Sequence, residues 1–152
     1  GNQREEGFRQ YISAFNNAQV LATVTAESNE ESATAAAKRL LLQEPRINVI
    51  VGFNEWMTLG VGNAVKELGL SESVRAVGFD SNITSVSLLE TGEMDALIVQ
   101  NPFAMGYLGV EKAASLISGE PIDGNTLFTS VTTVTKENLF DEDIQKILFR
   151  FN

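Results

Sequence analysis

Apolar side chains along the chain recur at two spacings, one typical of helices and one of strands. Four of them near the start follow the i, i+3, i+4, i+7 spacing of a single helical face: Phe8, Tyr11, Ile12 and Phe15. This spacing predicts a helix over residues 3–17. Residues 19–26 (QVLATVTA) are apolar and β-branched, which predicts a buried strand. Residues 47–53 (INVIVGF) form a continuous apolar run of strand length, typical of a parallel sheet covered by helices on both faces.

The alternation of helix and strand continues to the C-terminus. Ser28 and Glu31 have the spacing of a capping box for a helix over 33–42, which Pro45 ends. Further helices are predicted over 56–68, 84–90, 102–118 and 139–149, and further strands over 73–79, 95–99 and 126–135. Local signals mark the ends of these helices: Asn82 as an N-cap, Pro102 at a first helical position, and Gly69 and Gly92 just past C-termini. The pattern predicts βαβ units and hence an α/β fold, a doubly wound and mostly parallel sheet with helices on both faces.

Polar side chains stand just past the carboxyl ends of the predicted strands, and they are the candidate binding residues: Ser28, Asn54, Asp80 and Gln100. In open α/β sheets, ligands bind beyond this edge. Arg4, in the loop that opens the first helix, joins the same edge if a strand precedes Gly1. An Arg, an Asp and two amides offer donors and acceptors in fixed geometry, which suits a polyhydroxylated ligand such as a sugar.

Each candidate also has a purely structural interpretation. Asn54 and Asp80 stand at strand-to-helix turns, where capping alone explains an Asn or Asp. Gln100 is compatible with simple turn chemistry, and Arg4 is compatible with a solvated surface charge. Trp56, in the first turn after Asn54, fits a core or rim aromatic better than a ring that stacks on a ligand.

Composition narrows the chemistry. The 152 residues include neither His nor Cys, which excludes Ser-His-Asp and Cys-His catalytic sites, zinc sites with their usual ligands, and disulfides. Carboxylate or Lys/Arg chemistry remains, as does binding without chemistry. A formal charge of −9 and a pI near 4.5 argue against binding to nucleic acid or to an anionic membrane surface, because phosphate binding needs clustered Lys and Arg.

Four stretches together carry a family resemblance: Arg4-Glu5-Glu6-Gly7-Phe8, Gly52-Phe53-Asn54-Glu55, Val77-Gly78-Phe79-Asp80 and residues 99–106 (VQNPFAMG). In order and spacing, along nearly the whole chain, they resemble the type I periplasmic sugar-binding proteins of the ribose-binding group. That group is related to the effector domain of lactose-repressor-type regulators. The resemblance implies two α/β lobes that close over a sugar. It also implies which C-terminal-lobe residues hydrogen-bond the sugar hydroxyls and ring oxygen: Arg4, Asn54, Asp80 and Gln100.

The chain departs from the family pattern where many members place an aromatic ring to stack on the sugar. It has Ser28 and Asn29 there, which argues against an ordinary pyranose or ribose fit. Trp56 is a candidate for supplying the ring, and Ser28 stays a further candidate contact. The calcium-binding loop of the galactose-binding relatives is absent, so we expect no metal and no other cofactor.

The resemblance implies a larger two-lobe protein. The N-terminal lobe and the central first strand of the C-terminal lobe are expected before Gly1. Residues 1–100 would then form the C-terminal ligand-binding lobe, 101–130 a crossover helix and strand that pack on the other lobe, and 131–152 a return strand and final helix. We therefore expect a complementary N-terminal lobe, or an exchanged chain, to cover an unfilled sheet position and an apolar helix face.

These expectations indicate the solute-binding component of a bacterial sugar ABC transporter, without enzymatic activity, which presents its ligand to a membrane permease. It is expected outside the cytoplasm, either periplasmic or as a cell-surface lipoprotein. The alternative is the effector-binding domain of a lactose-repressor-type regulator, and a membrane sensor is a variant of the same binding hypothesis. A phosphoryl-accepting receiver domain built around Asp80 is not favoured, because no lysine follows the predicted strand at 95–99.

Overall fold

The computed structural model describes residues 2–121, 124 and 126–149, which form six helices and four strands. In chain order these are α1 (Asn2–Ile12), α2 (Glu30–Gln43), β1 (Val49–Val51), α3 (Glu55–Leu68), β2 (Arg75–Phe79), α4 (Ile83–Thr91), β3 (Ala96–Gln100), α5 (Pro102–Ile117), β4 (Val131–Thr135) and α6 (Glu142–Phe149). None of these helices is long and apolar enough to cross a bilayer. From α2 onwards helices and strands alternate, as the hydrophobic pattern predicts.

The four strands form one sheet in the order β1-β2-β3-β4. β1, β2 and β3 run parallel, with Val51 opposite Val77 and Phe79 opposite Ile98, whereas β4 runs antiparallel to β3. The predicted α/β fold with a mostly parallel sheet is confirmed. Because β1, β2 and β3 are parallel, their carboxyl ends meet at one edge of the sheet, where the candidate binding residues were expected.

The hydrophobic core is built by α2, α3, α4, α6 and all four strands. Its members include Leu41, Ile50, Leu59, Val65, Ala76, Leu89, Leu97, Val134 and Ile144. α2 and α3 approach closely because Gly60 has no side chain: a Cβ there would lie 2.5 Å from the Cβ of Ala33. α3 also packs against β1 and β2, and it begins at the candidate site. α1 and α5 contribute no buried residue.

The strand predicted over 19–26 is not formed. None of the described backbone hydrogen bonds involves this segment, and it belongs to no sheet. A groove of about 820 Å³ lies between the segment and β1. A strand exists only when its N–H and C=O groups pair with a neighbour, and the groove keeps this backbone away from the edge of β1. The apolar pattern of the segment is that of a strand, but the pairing partner is not among the described residues.

Several predicted ends of elements are wrong by a few residues. α1 ends at Ile12 rather than at residue 17. After Ile12 the backbone forms tighter hydrogen bonds over three residues, from the amides of Ala14 and Phe15. β4 is limited to 131–135 because β3 offers only five residues to pair with it. α6 starts at Glu142 instead of 139.

The N-cap of α2 is also shifted. Asn29, not Ser28, caps this helix: its side chain accepts from the amide of Ser32 at 2.8 Å. The capping box predicted for Ser28 and Glu31 is therefore wrong, because Asn29 has the extended backbone that an N-cap requires. The other local signals are confirmed. Asn82 caps α4, Pro102 opens α5, and Gly69 and Gly92 follow their helices with left-handed φ of 64° and 96°.

Candidate functional site

Three of the four main candidates meet at the carboxyl edge of the parallel strands. Arg4 Nη1 donates to Asp80 Oδ2 at 3.3 Å and to the carbonyl oxygen of Phe53 at 3.0 Å. Gln100 Nε2 donates to Asp80 Oδ1. Each carboxylate oxygen of Asp80 therefore has its own donor, and the side chains of Asp80 and Arg4 together link the ends of β1, β2 and β3.

The prediction that Arg4 lies in a loop is wrong. Arg4 lies inside the first turn of α1, because the helix begins at Asn2. Its side chain is 29% exposed and that of Asp80 is 28% exposed, so this ion pair is partly sheltered from water. The interpretation of Arg4 as a solvated surface charge is wrong, since its guanidinium bridges Phe53, two residues past β1, and Asp80, the residue after β2.

Aromatic rings line the same edge. The Cζ atom of Arg4 lies 4.9 Å from the centre of the Phe79 ring, within the range of a cation–π contact. The Phe53 ring is 6.0 Å from that of Phe79 and 5.7 Å from that of Phe8. The row of rings gives the polar cluster an apolar wall, a combination typical of small-molecule sites.

The backbone of Asp80 is unusual. Its φ is 68°, and among the described residues no other residue except glycine has a positive φ. Such a conformation costs roughly 1–3 kcal/mol, and residues held this way cluster at functional sites. Capping does not explain Asp80, because the N-cap of α4 is Asn82. The Asp80 amide donates to the carbonyl of Ile98 at 2.9 Å, which anchors the turn to β3.

Asn54, the fourth candidate, is a helix cap. Its side-chain oxygen accepts from the amide of Met57 at 2.9 Å, so the structural interpretation of this residue is correct for that atom. The cap engages the oxygen of Asn54 and not its amide nitrogen, which is the group that can donate to a ligand. Asn54 lies beside the cluster, because it directly follows Phe53, whose carbonyl oxygen accepts a hydrogen bond from Arg4. Its contact with a ligand stays a prediction.

The two further candidates lie at the periphery. Ser28 is exposed in the turn before α2, and Trp56 is 42% exposed in the first turn of α3. In the part of the chain that the structure describes, no hydrogen bond, ion pair or ring contact joins either of them to Arg4, Asp80 or Gln100. Trp56 is therefore a rim aromatic, as its structural interpretation predicted, and both residues stay predictions as ligand contacts.

Sequence reasoning missed the roles of Phe53 and Phe79. Both belong to the repeated tripeptide Gly-Phe-Asn/Asp at the ends of β1 and β2, and this repetition was the available signal. The Phe53 carbonyl and the Phe79 ring hold Arg4 from two sides. Their positions depend on which strands are neighbours, and a sequence pattern does not contain that information.

The groove beside β1 is a different feature from this site. Its lining includes Phe8 and Phe53 but none of Arg4, Asp80 and Gln100, and it is mostly apolar. It is suited to packing and not to the recognition of hydroxyl groups. Among the described residues, no three Asp or Glu side chains cluster closely enough to hold a metal ion.

Sequence comparison identifies the family. A family model described as a periplasmic binding protein domain matches residues 1–121. The ribose import binding protein of Haemophilus influenzae is 34% identical over 123 residues, which are 80% of this chain and 40% of that protein. The D-allose-binding periplasmic protein of Escherichia coli is 27% identical over 140 residues, 88% of this chain and 44% of that protein. The chain thus spans less than half the length of these curated relatives.

Solved structures have the same fold. A carbohydrate transporter solute binding protein from Agrobacterium radiobacter, in complex with D-arabinose, matches with a TM-score of 0.91 and 30% identity over 97% of this chain and 50% of that one. An ABC transporter solute binding protein from Agrobacterium vitis, bound with α-D-tagatopyranose, matches with a TM-score of 0.92 and 27% identity over 99% of this chain and 50% of that one. The chain therefore belongs to the type I periplasmic binding protein family, with ribose-type sugar-binding proteins among its relatives.

Proposed function

We propose that the chain is the C-terminal ligand-binding lobe of the solute-binding component of a bacterial sugar ABC transporter. The observation that carries the proposal is the Arg4-Asp80-Gln100 cluster at the carboxyl edge of the sheet. The relatives named above are sugar-binding or carbohydrate-transporter solute-binding proteins by name, which supports the same function. On this proposal the protein is not an enzyme: it holds its ligand by hydrogen bonds, and no bond is made or broken.

The cluster is suited to an uncharged polyol. A carboxylate has about four lone-pair sites, and Arg4 and Gln100 occupy one on each oxygen of Asp80. The remaining sites accept from sugar hydroxyls, while the free N–H groups of the Arg4 guanidinium donate to a hydroxyl or ring oxygen. Because the charges of Arg4 and Asp80 cancel, the cluster favours a neutral monosaccharide over a sugar acid or a sugar phosphate. Ser28 and Trp56 are the positions at which we expect ligand preference to differ from that of ribose-binding relatives.

A second lobe completes the site. α5 has no buried residue, and Tyr107, Val110 and Ile117 on it are 61%, 72% and 88% exposed. Apolar surfaces of this kind mark interfaces. The proposed division assigns residues 1–100 to the ligand-binding lobe, 101–130 to the crossover onto the other lobe and 131–152 to the return strand and final helix. Parts of the last two ranges, residues 122, 123, 125 and 150–152, lie outside the described residues.

The groove beside β1 is the proposed place of one further strand of the same lobe. On one side is the segment 19–26, without backbone partners among the described residues, and on the other is the outer edge of β1. A strand between them would pair with both. Its source is the remainder of a two-lobe protein, which the length of the relatives supports, and an exchanged second chain is the alternative.

Binding then favours the closed form of the two lobes. A ligand that bridges both lobes stabilises closure by its differential affinity for that form, and a permease can recognise the closed shape. The proposed location is outside the cytoplasm, either periplasmic or on the cell surface as a lipoprotein. None of the relatives named above is a regulator, so the lactose-repressor-type alternative gains no support from them.

The proposed function is tested with the intact protein and a panel of neutral sugars: D-ribose, D-allose, D-arabinose and D-tagatose. We expect at least one to raise the melting temperature, and D-ribose 5-phosphate to have no effect. Asp80→Ala should weaken binding of that sugar by about 2–4 kcal/mol, because hydroxyl partners are left unpaired in a desolvated cleft. Asp95→Ala is the matched control, since Asp95 pairs with Arg75 at the opposite end of the strands. An unchanged dissociation constant in Asp80→Ala removes this residue from the site, and the absence of stabilisation by every sugar contradicts the function.

The missing strand and lobe are tested with the 152-residue chain alone. Light scattering after size-exclusion chromatography should show an associated or expanded species, because the groove and the outer face of α5 are exposed. A compact, well-folded monomer of 16.5 kDa would show that neither surface needs a partner.

A further inference from the structure

Thr58 is a buried hydroxyl residue to which the proposed site assigns no part. It lies in the first turns of α3 and is 0% exposed. Its Oγ1 donates to the carbonyl oxygen of Phe79 at 2.8 Å, and the amide of Phe79 donates to Thr58 Oγ1, also at 2.8 Å. One hydroxyl thus satisfies both backbone groups of the residue that precedes Asp80.

Phe79 needs this partner because β1 is too short. The last backbone hydrogen bond between β1 and β2, at their carboxyl ends, runs from the Gly52 amide to the Val77 carbonyl. In a strand, alternate residues direct their backbone groups to the same neighbour, so those of Phe79 face the β1 side. At that level the chain has already left β1 and turned into α3 at Asn54. The Thr58 hydroxyl takes the place of the absent strand residue.

The fit around Thr58 is close. A Cβ on Gly78 would lie 2.3 Å from Thr58 Cγ2, and a Cβ on Gly52 would lie 2.7 Å from the Thr58 backbone nitrogen. Glycine at both positions lets the first turns of α3 lie directly against the ends of β1 and β2. An alanine at 58 would leave two backbone groups of Phe79 unpaired in a partly buried place, which is costly.

We propose that Thr58 is a positioning residue for the binding cluster. By holding both backbone groups of Phe79 it fixes the ring that lies against Arg4, and it fixes the chain just before the left-handed turn at Asp80. The amide of Asp80 is held on the other side by Ile98, so the backbone that carries the carboxylate is anchored from both neighbours. This inference rests on the proposed function where it concerns sugar affinity, but not where it concerns the order of the strand end.

The test compares Thr58→Val, which keeps the shape and removes the hydroxyl, with Thr58→Ser, which keeps the hydroxyl. Thr34→Val on α2 is the control, because the hydroxyl of Thr34 donates to the carbonyl of Glu30 and accepts from Asn63 on α3, and neither partner belongs to the binding cluster. The intact protein is measured by hydrogen exchange of residues 74–82 and by affinity for the sugar that binds the wild type best in the panel above.

In Thr58→Val the Phe79 and Asp80 amides should exchange at least about tenfold faster, and sugar affinity should fall about tenfold, the size of one lost hydrogen bond. Thr58→Ser should restore both to within about threefold, and Thr34→Val should change neither. If Thr58→Val does not fold, Thr58→Ala replaces it in both measurements. Wild-type exchange at Phe79 in a folded variant without the hydroxyl overturns the proposal, as does unchanged affinity with faster exchange. If no sugar binds the wild type, the proposed function fails, and hydrogen exchange alone decides whether Thr58 holds the strand end.

Discussion

The contact between Gly78 and Thr58 leads to a sharp prediction about stability. Gly78→Ala places a methyl group 2.3 Å from Thr58 Cγ2, 2.6 Å from Thr58 Oγ1 and 3.0 Å from Met94 Cε. Gly78 is paired opposite Leu97 in β3, so β2 cannot retreat without breaking its ladder. Overpacking of a core typically costs about 1–3 kcal/mol. Displacement of α3 also breaks the two Thr58–Phe79 hydrogen bonds, each worth about 1 kcal/mol. We expect Gly78→Ala to lower the free energy of unfolding by about 3–5 kcal/mol.

Thr58→Ala removes both of the closest clashing atoms. Alone it should cost about 2–4 kcal/mol, through the lost hydrogen bonds and a small cavity. In the double variant the methyl group of the new alanine at 78 fills part of that space, and only its 3.0 Å approach to the end of the flexible Met94 side chain remains. The double variant should therefore cost about as much as Thr58→Ala alone, a favourable coupling of roughly 3–5 kcal/mol, equal to the cost of Gly78→Ala alone.

The assay is urea unfolding of the intact protein, followed by far-ultraviolet circular dichroism, for the wild type and three variants. Gly92→Ala is a steric control, because no atom lies within 4 Å of a Cβ built there, although its left-handed φ of 96° adds a backbone cost. If the two single changes add to within about 0.5 kcal/mol, the proposed steric conflict between Gly78 and Thr58 does not exist.

Three further predictions concern single side chains. Asn54→Ala should lower stability by about 1 kcal/mol through loss of the α3 cap, and Asn54→Asp should restore it, as measured by thermal unfolding. Arg4→Lys should weaken sugar affinity about tenfold or more in calorimetry, because an ammonium cannot bridge two acceptors while stacking on a ring; wild-type affinity would contradict this. The hydrogen bond from Arg46 lowers the pKa of Glu44 from 4.5 to about 2. This lowered pKa stabilises the fold above pH 4.5, and the contribution is lost as the pH falls toward 2. Arg46→Gln should raise the titration midpoint of Glu44 in NMR, with little effect on stability because the pair is exposed.

Most helices and the parallel strands could be predicted from local signals. Asn82, Pro102 and Gly69 act within one turn of the backbone, so their effect does not depend on distant residues. The segment 19–26 shows the opposite case. Its residues favour a strand, yet a strand needs a partner for its backbone, and the described residues supply a groove instead.

The candidate site divides in the same way. The rule that ligands bind beyond the carboxyl ends of parallel strands selected Arg4, Asp80 and Gln100, and these three do meet. The same rule also selected Asn54, which the structure shows as the cap of α3. The rule could not separate these two roles, because a side-chain amide can hydrogen-bond either a helix N-terminus or a ligand.

The sequence by itself determined the alternation of helix and strand, the absence of His and Cys chemistry, and the polar residues that end each strand. These properties depend on neighbours along the chain or on composition alone. Only the tertiary structure decided that Phe79 lies against Arg4, that Thr58 substitutes for a strand beside Phe79, and that Asp80 adopts a left-handed backbone. Those features arise where α1, α3 and three strands converge, and the distances among them are set by packing between residues far apart in the chain.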